Sequence, residues 1–465
     1  MRSIGRTVAI VAASILLVPQ LAAATDLDVE IQDMKQRMER MEDQLQAQND
    51  QIANAEATVE AQQQVIEDAG LDEERGEQSA LSSFLEQTEF SGWVAASYVI
   101  NFTSVEDSAP GGENGQNTSI IPGVGAGFPL WYPHHPDSNT FQLDQAWISI
   151  DKAPTEESRG GFHMDLRAGY GSGADGFTPS FYSAYASYLI PLMQGLQIDG
   201  GLLPTLVGAE VEQTNANFNI TRGLVWGLQP ITNVGAVAKL DIGSGFSVAI
   251  GALNDVVGGI GIDDTKAPAL TSQVAYSADK YFASATFVYG KDQSAPTSIF
   301  FPVFTGGVAN DSMGILDLVL TADPVENLSL WINYDYRWEN NKATTTSPGT
   351  LKTSYQAIAG AGRLSVLDNA GIALRYEYVS YKEDIPLLPL ENSLQSVTAT
   401  GDYSPIDGLT LKLEYRFDYS NIDLLTQTAI LSSTGMGISG IFLPQSGPIL
   451  KDTQHVMLLQ MMYEF

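Results

Sequence analysis

Two periodicities divide this chain. From Glu89 to Phe465 apolar and polar residues alternate in runs of about ten, broken by Gly, Pro, Asn and Asp. The last run, His455–Phe465, is the plainest: Met457, Leu459, Met461, Tyr463 and Phe465 recur at every second position and finish on a terminal aromatic. A period of two places all five on one face of a strand. A strand in a bilayer needs such a face, because its middle meets lipid and its ends sit among headgroups.

The runs are Glu89–Asn101, Thr140–Asp151, Gly161–Gly169, Ser180–Ile190, Leu196–Val207, Ile231–Asp241, Gly245–Asn254 and Ala269–Ala278, then Lys280–Gly290, Met313–Ala322, Asn327–Trp338, Ser354–Leu367, Asn369–Tyr381, Ser393–Tyr403, Gly408–Tyr419 and His455–Phe465, sixteen in all. Short connectors (Pro191–Gly195, Ile242–Ser244, Asp368) alternate with long ones (Phe102–Asn139, Gly208–Pro230, Ser420–Gln454). Outer-membrane barrels have short periplasmic turns and long external loops; counting back from a periplasmic C-terminus puts every long connector outside. The predicted fold is an all-β transmembrane antiparallel β-barrel of about 16 strands, preceded by an α-helical coiled-coil segment. Outer-membrane lipid and, during biogenesis, the barrel-assembly machinery are the expected partners.

Before residue 89 the period changes. In residues 25–70, Ile31, Met38, Leu45, Ile52, Val59 and Ile66 recur every seven positions, with Leu27, Met34, Met41, Gln48, Ala55 and Gln62 at the companion positions. That pattern predicts a periplasmic coiled coil; the polar Gln48 and Gln62 suit a homotrimer, although heptads leave a dimer open. Residues 71–88 carry no sustained period and read as a linker. Residues 1–24 read as a signal peptide: Arg2 and Arg6, an apolar core from Val8 to Val18, then Ala22-Ala23-Ala24.

Composition narrows the function. The chain has 23 basic and 55 acidic residues, a net charge of −32, which argues against nucleic-acid binding. It has no Cys, so disulfides, thiolate metal sites and Cys nucleophiles are excluded. His134-His135 is a loop pair without a third ligand, and neither a His-Glu-x-x-His nor a Gly-x-Ser-x-Gly motif occurs. No enzyme activity, metal or cofactor is expected.

Strand parity separates lipid from lumen. On Gly408–Tyr419 the apolar residues are odd-numbered, so Lys412, Glu414, Arg416 and Asp418 point inward. The same argument turns inward Arg375 and Glu377, Asn333, Asp335 and Arg337, Arg363, His163, Asp165 and Arg167, and Asp199 and Lys239. Charge on the lipid face would cost about 2–4 kcal/mol per Arg or Lys at the midplane. The resulting pore wall is Asp165, Arg167, Asp335, Arg337, Arg363, Arg375, Lys412 and Arg416, with a basic cluster on its C-terminal side. That cluster reads either as a satisfied network or as one half of a transverse field across a water-filled pore.

The strand-and-loop series FSGWVAASYVINF, FQLDQAWISIDK, FHMDLRAGYGSGADG and then N-x-N-x-[ST]-R at Asn217–Arg222 resembles the OmpL-like β-barrel porin-2 family. The resemblance implies an outer-membrane porin. The heptad segment resembles the periplasmic N-terminal extensions of some trimeric sugar and anion porins. By analogy with sixteen-stranded general porins, the third external loop, Gly208–Pro230, folds inward as the constriction, which would hold Glu210, Glu212, Asn217, Asn219 and Arg222 with Glu210 and Glu212 facing the basic wall; the alternative is a surface loop with ordinary turn chemistry. The expected function is passive diffusion of small hydrophilic solutes. One alternative is a substrate-specific channel, which needs a ladder of aromatics such as Trp93, Trp226 and Trp331. Another is a structural tether acting through the coil, which would make peptidoglycan a partner.

Overall fold

The computed structural model describes residues 86–102, 135, 139–169, 179–257, 267–291, 310–341, 351–384, 390–421 and 453–465. These fall in one compact unit, Glu86–Phe465. The expected signal peptide, the heptad positions Ile31 to Ile66 and nearly all of the linker lie outside the described residues.

Among the described residues there are sixteen strands: β1 (Glu89–Asn101), β2 (Thr140–Lys152), β3 (Gly160–Ala168), β4 (Ser180–Ile190), β5 (Leu196–Pro204), β6 (Thr232–Gly243), β7 (Phe246–Leu253), β8 (Ala269–Ala278), β9 (Tyr281–Gly290), β10 (Asn310–Val325), β11 (Leu328–Asn341), β12 (Leu351–Leu367), β13 (Ala370–Asp384), β14 (Leu390–Ile406), β15 (Leu409–Ser420) and β16 (Thr453–Glu464). Each pairs with its sequence neighbours, and β1 closes antiparallel on β16 with Trp93 opposite Glu464 and Asn101 opposite Val456. Closure matters because a bilayer offers no water to satisfy the backbone groups of an open edge.

Burial is inverted relative to a soluble protein. Phe141, Ile250, Leu374, Leu459 and Met461 are exposed, whereas Asp165, Asp317, Arg375, Glu414 and Arg416 are buried. The apolar residues meet lipid, and the polar ones fill the interior. Tyr336 and Trp338 stack, with ring centroids 5.6 Å apart, near the loop end of β11, and Phe246 and Tyr276 lie 4.8 Å apart at the turn end of β7 and β8. Rings at both ends are what amphipathic side chains at the two headgroup levels of a barrel produce.

Most strand ends shift by one to three residues from the expected runs, and two departures carry a structural lesson. β5 stops at Pro204, short of Val207, because proline has no N–H to give the ladder; the Leu206 carbonyl instead turns to accept from Gln273 and Thr286. Strands β10 to β14 run 14–17 residues, longer than the roughly 9–11 a tilted strand needs to cross.

Candidate functional site

The segment between β5 and β6 has no alternating pattern and forms no strand. It holds two single turns of 3-10 helix, Thr214–Ala216 and Trp226–Leu228. Gly208 opens it with φ +99°, and a Cβ there would strike the Gln229 side chain that closes it. Arg222 staples the interior. Its guanidinium donates to the carbonyls of Val211 (2.7 Å), Ile220 (3.0 Å) and Glu212 (2.6 Å) and to Thr214 Oγ1 (3.1 Å). Asn217 adds a second staple, donating to the Val211 and Gln213 carbonyls and accepting from the Val211 N–H. So the segment is a folded unit and not a slack loop.

One wall of the barrel holds that unit at many points. Glu414 on β15 accepts from the backbone N–H groups of Ile220 (2.5 Å) and Thr221 (3.0 Å) and from Thr221 Oγ1 (2.5 Å). Arg375 on β13 pairs with Glu210 at 2.5 Å and with Glu377 at 3.1 Å, and donates to the Thr221 carbonyl at 2.7 Å. Arg416 donates to the Arg222 carbonyl, Arg337 to that of Leu228 and Lys412 to that of Asn217, at 2.7, 2.9 and 2.8 Å. Asn219 donates to Thr400, and Gln229 to Asn333 and Asp335. Gly223 leaves room for two carboxylates: a Cβ there would collide with both Glu377 and Glu210. Burial lifts the Glu210 carboxyl above its ordinary range, against the pull of Arg375.

The other side of the lumen grips the unit more lightly. Gln145 donates to the Glu212 carbonyl at 2.7 Å and accepts from the Thr214 N–H at 3.0 Å, and Arg167 on β3 pairs with the Glu212 carboxylate. Asp165 is a local hub, accepting from Trp147, Ser149 and Ser183 and lying 2.9 Å from His163. Arg363 and Lys239 do not reach the segment; they pair with Asp402 on β14, across β13 (2.5 Å), and with Asp199 on the adjacent β5 (2.8 Å).

The residues that parity turns inward share strand faces with the buried polar side chains, and the loop and the basic wall are in contact instead of facing each other across a gap. Glu210 closes on Arg375, while Glu212 turns away to Arg167. A buried guanidinium left unpaired is costly, so the pair forms wherever the backbone permits. Sequence reasoning missed Gln145 and Gln229. A β-bulge lies between Ala95 and Ala96, opposite which Asp144 is passed over, so that Asp144 and Gln145 are both buried inward and simple parity fails there. Trp93 stacks on Trp147 with centroids 4.9 Å apart, and Tyr182 lies 4.9 Å beyond, but all three rings are buried and offer no open aromatic ladder. Among the described residues no cluster of three or more His, Cys, Asp or Glu could hold a metal ion.

Residues 87–465 match the OmpL-like beta-barrel porin-2 family over the whole barrel. The chain belongs to that family. The porin-2 barrel is thus an outer-membrane channel, and transport is its work. Its fold is similar to that of the outer membrane channel DcaP of Acinetobacter baumannii, with TM-score 0.52 and 10% identity over 81% of this chain and 97% of that one. It is also similar to OmpT, an outer membrane protein of Vibrio cholerae, in a trimer form, with TM-score 0.50 and 11% identity over 81% of this chain and 99% of that one. At such identities the likeness speaks for the fold. No curated protein sequence matches the chain.

Proposed function

We propose that this porin-2 chain lets small hydrophilic solutes diffuse passively through a water-filled pore narrowed by the segment 208–230. The observation that carries the reading is the number of bonds between that segment and the lumen face of β11 and β13–β15. A folded unit held at so many points stays in the path of a solute and sets its size limit. Sixteen strands enclose enough space to leave an aqueous channel beside it. In this reading Glu210, Glu212, Asn217, Asn219 and Arg222 belong to the constriction. The wall is Asp165, Arg167, Asp335, Arg337, Arg363, Arg375, Lys412 and Arg416. No reaction, metal or cofactor enters the mechanism.

The chain works as a homotrimer in this proposal, with residues 25–70 as a periplasmic coiled coil joined to the barrel through 71–88. The trimer form of the similar OmpT and the heptads support it. Conductance of the purified protein in planar lipid bilayers tests both parts. Stable steps arriving in threes are expected. A folded, heat-modifiable barrel that passes no current would sink the channel reading and favour the tether. Deleting 25–70 leaves conduction intact if the coil only assembles subunits.

A further inference from the structure

The lumen contains two classes of ion pair. On the wall under the docked segment both members are sealed: Arg375 and Glu377 are each 0% exposed, Arg416 and Asp418 0% and 1%, Arg337 and Glu339 2% and 0%. Elsewhere, among the described residues, three Arg or Lys pairs keep one member open, and in all three it is the base. Lys239 is 43% exposed against 0% for Asp199, Arg363 30% against 8% for Asp402, and Arg167 20% against 1% for Glu212. The carboxylates are pinned behind them. Asp199 accepts from Ser187 and Gln197 as well as pairing with Lys239, and both oxygens of Asp402 accept from Nε and Nη2 of Arg363. Each pair is therefore a dipole whose positive end lies in the pore water.

Open carboxylates on the lumen face are arranged differently. Among the described residues, Glu89, Asp151, Asp241, Asp323 and Glu464 are the more open ones, and each lies within two residues of the turn-side end of its strand. Asp151 is 39% exposed and partnered by His163. Electrolyte at that rim screens them over about 10 Å at 0.1 M salt. Lys239 and Arg363 stand further in, four residues from the ends of β6 and β12 at Gly243 and Leu367, and Arg167 lies near the opposite end of β3.

We infer that the pore prefers small anions, although the chain carries a net charge of −32, and that Lys239, Arg363 and Arg167 set this preference. The inference rests on the channel reading above. The sealed arginines contribute little to it, because their charge is consumed inside the wall and the docked segment. The solute class is a small hydrated anion such as chloride or a simple carboxylate.

The test is the reversal potential of the full-length protein in planar bilayers across a potassium chloride gradient. Wild type is expected to show the sign of chloride preference. Two double variants then remove pairs without changing net charge: Lys239→Gln with Asp199→Asn, and Arg363→Gln with Asp402→Asn. Each is expected to lower the chloride-to-potassium permeability ratio by up to about twofold, because the open base lies nearer the ion path than its buried carboxylate and the two charges do not cancel there. Lys352→Gln, which removes a charge from the outward face of β12, should leave the ratio unmoved. A cation-preferring wild type overturns the inference without help from any variant, and so does a ratio indifferent to both double variants. Absence of current from a folded barrel overturns the channel reading itself, so the two failures are distinguishable.

Discussion

The wall formed by β11 and β13–β15 and the wall around β3 and β6 are both lined with charge, yet they use it in opposite ways. On the first, arginines are struts. Arg375, Arg416 and Arg337 each donate to a backbone carbonyl of the 208–230 segment while a carboxylate neutralises them from the side. On the second, Lys239 and Arg167 reach water, and their carboxylates do the bracing. The same residue types thus give rigidity where a loop covers them and a field where it does not. Exposure, and not composition, assigns the role.

Breaking the strut wall should give the largest effect. Arg375→Met leaves Glu210 and Glu377 buried without their cation, and removal of one partner from a buried pair costs about 3–5 kcal/mol. The ladder of the barrel does not depend on that side chain, so the cost falls on docking. Single-channel conductance should rise severalfold, and amides of 208–230 should lose protection from hydrogen exchange while strand amides keep theirs. Unchanged conductance with full protection would mean that the segment is held by something other than these charges. Glu414→Gln should act in the same direction and less strongly, since an amide keeps the volume but loses the charge that three donors from the segment share.

Acid sharpens the contrast. Burial raises the Glu210 carboxyl above its ordinary value of about 4.3. The docked segment therefore holds this proton more firmly than the released segment does. Its contribution to docking is fully present below the ordinary value and is lost as the pH rises through the docked one. Through Glu210, acidification tightens the segment, so wild-type gating noise should fall as the pH is lowered through the docked value. Glu210→Gln resembles the protonated form and should flatten that dependence. Noise that grows toward acid in wild type would transfer control to another carboxylate.

The barrel was legible in the sequence because a bilayer enforces it residue by residue. Every outward position of β15, from Leu409 to Tyr419, is apolar or aromatic, so parity alone turns Lys412, Glu414, Arg416 and Asp418 inward. The even strand number and the long third connector followed from spacing. The contacts were not legible. Nothing in the order of residues says that Glu414 caps two backbone N–H groups of the segment, or that Glu210 and Glu212 point to opposite walls. Such pairings depend on how a segment without periodicity folds, and Arg222 decides that through four bonds, three of them to backbone carbonyls, which carry no sequence signal. Bulges blur even parity: Asp144 and Gln145 are consecutive and both inward.

The smallest expected effect lies on the light side of the grip. Gln145→Ala removes one donor to the Glu212 carbonyl and one acceptor for the Thr214 N–H. Neutral hydrogen bonds contribute only about 0.5–1.5 kcal/mol each, and Arg222 also serves both the Glu212 carbonyl and the Thr214 hydroxyl. The segment should therefore stay docked, with conductance within measurement error and exchange faster only around Glu212 and Thr214. That asymmetry is the sharper comparison. If Gln145→Ala opened the pore as widely as Arg375→Met, the segment would be a beam supported at both walls, and loss of either support would drop it. If it does not, the segment is a bracket mounted on the strut wall, and its lightly held edge at Glu212 borders the side where Lys239 and Arg167 are open to water.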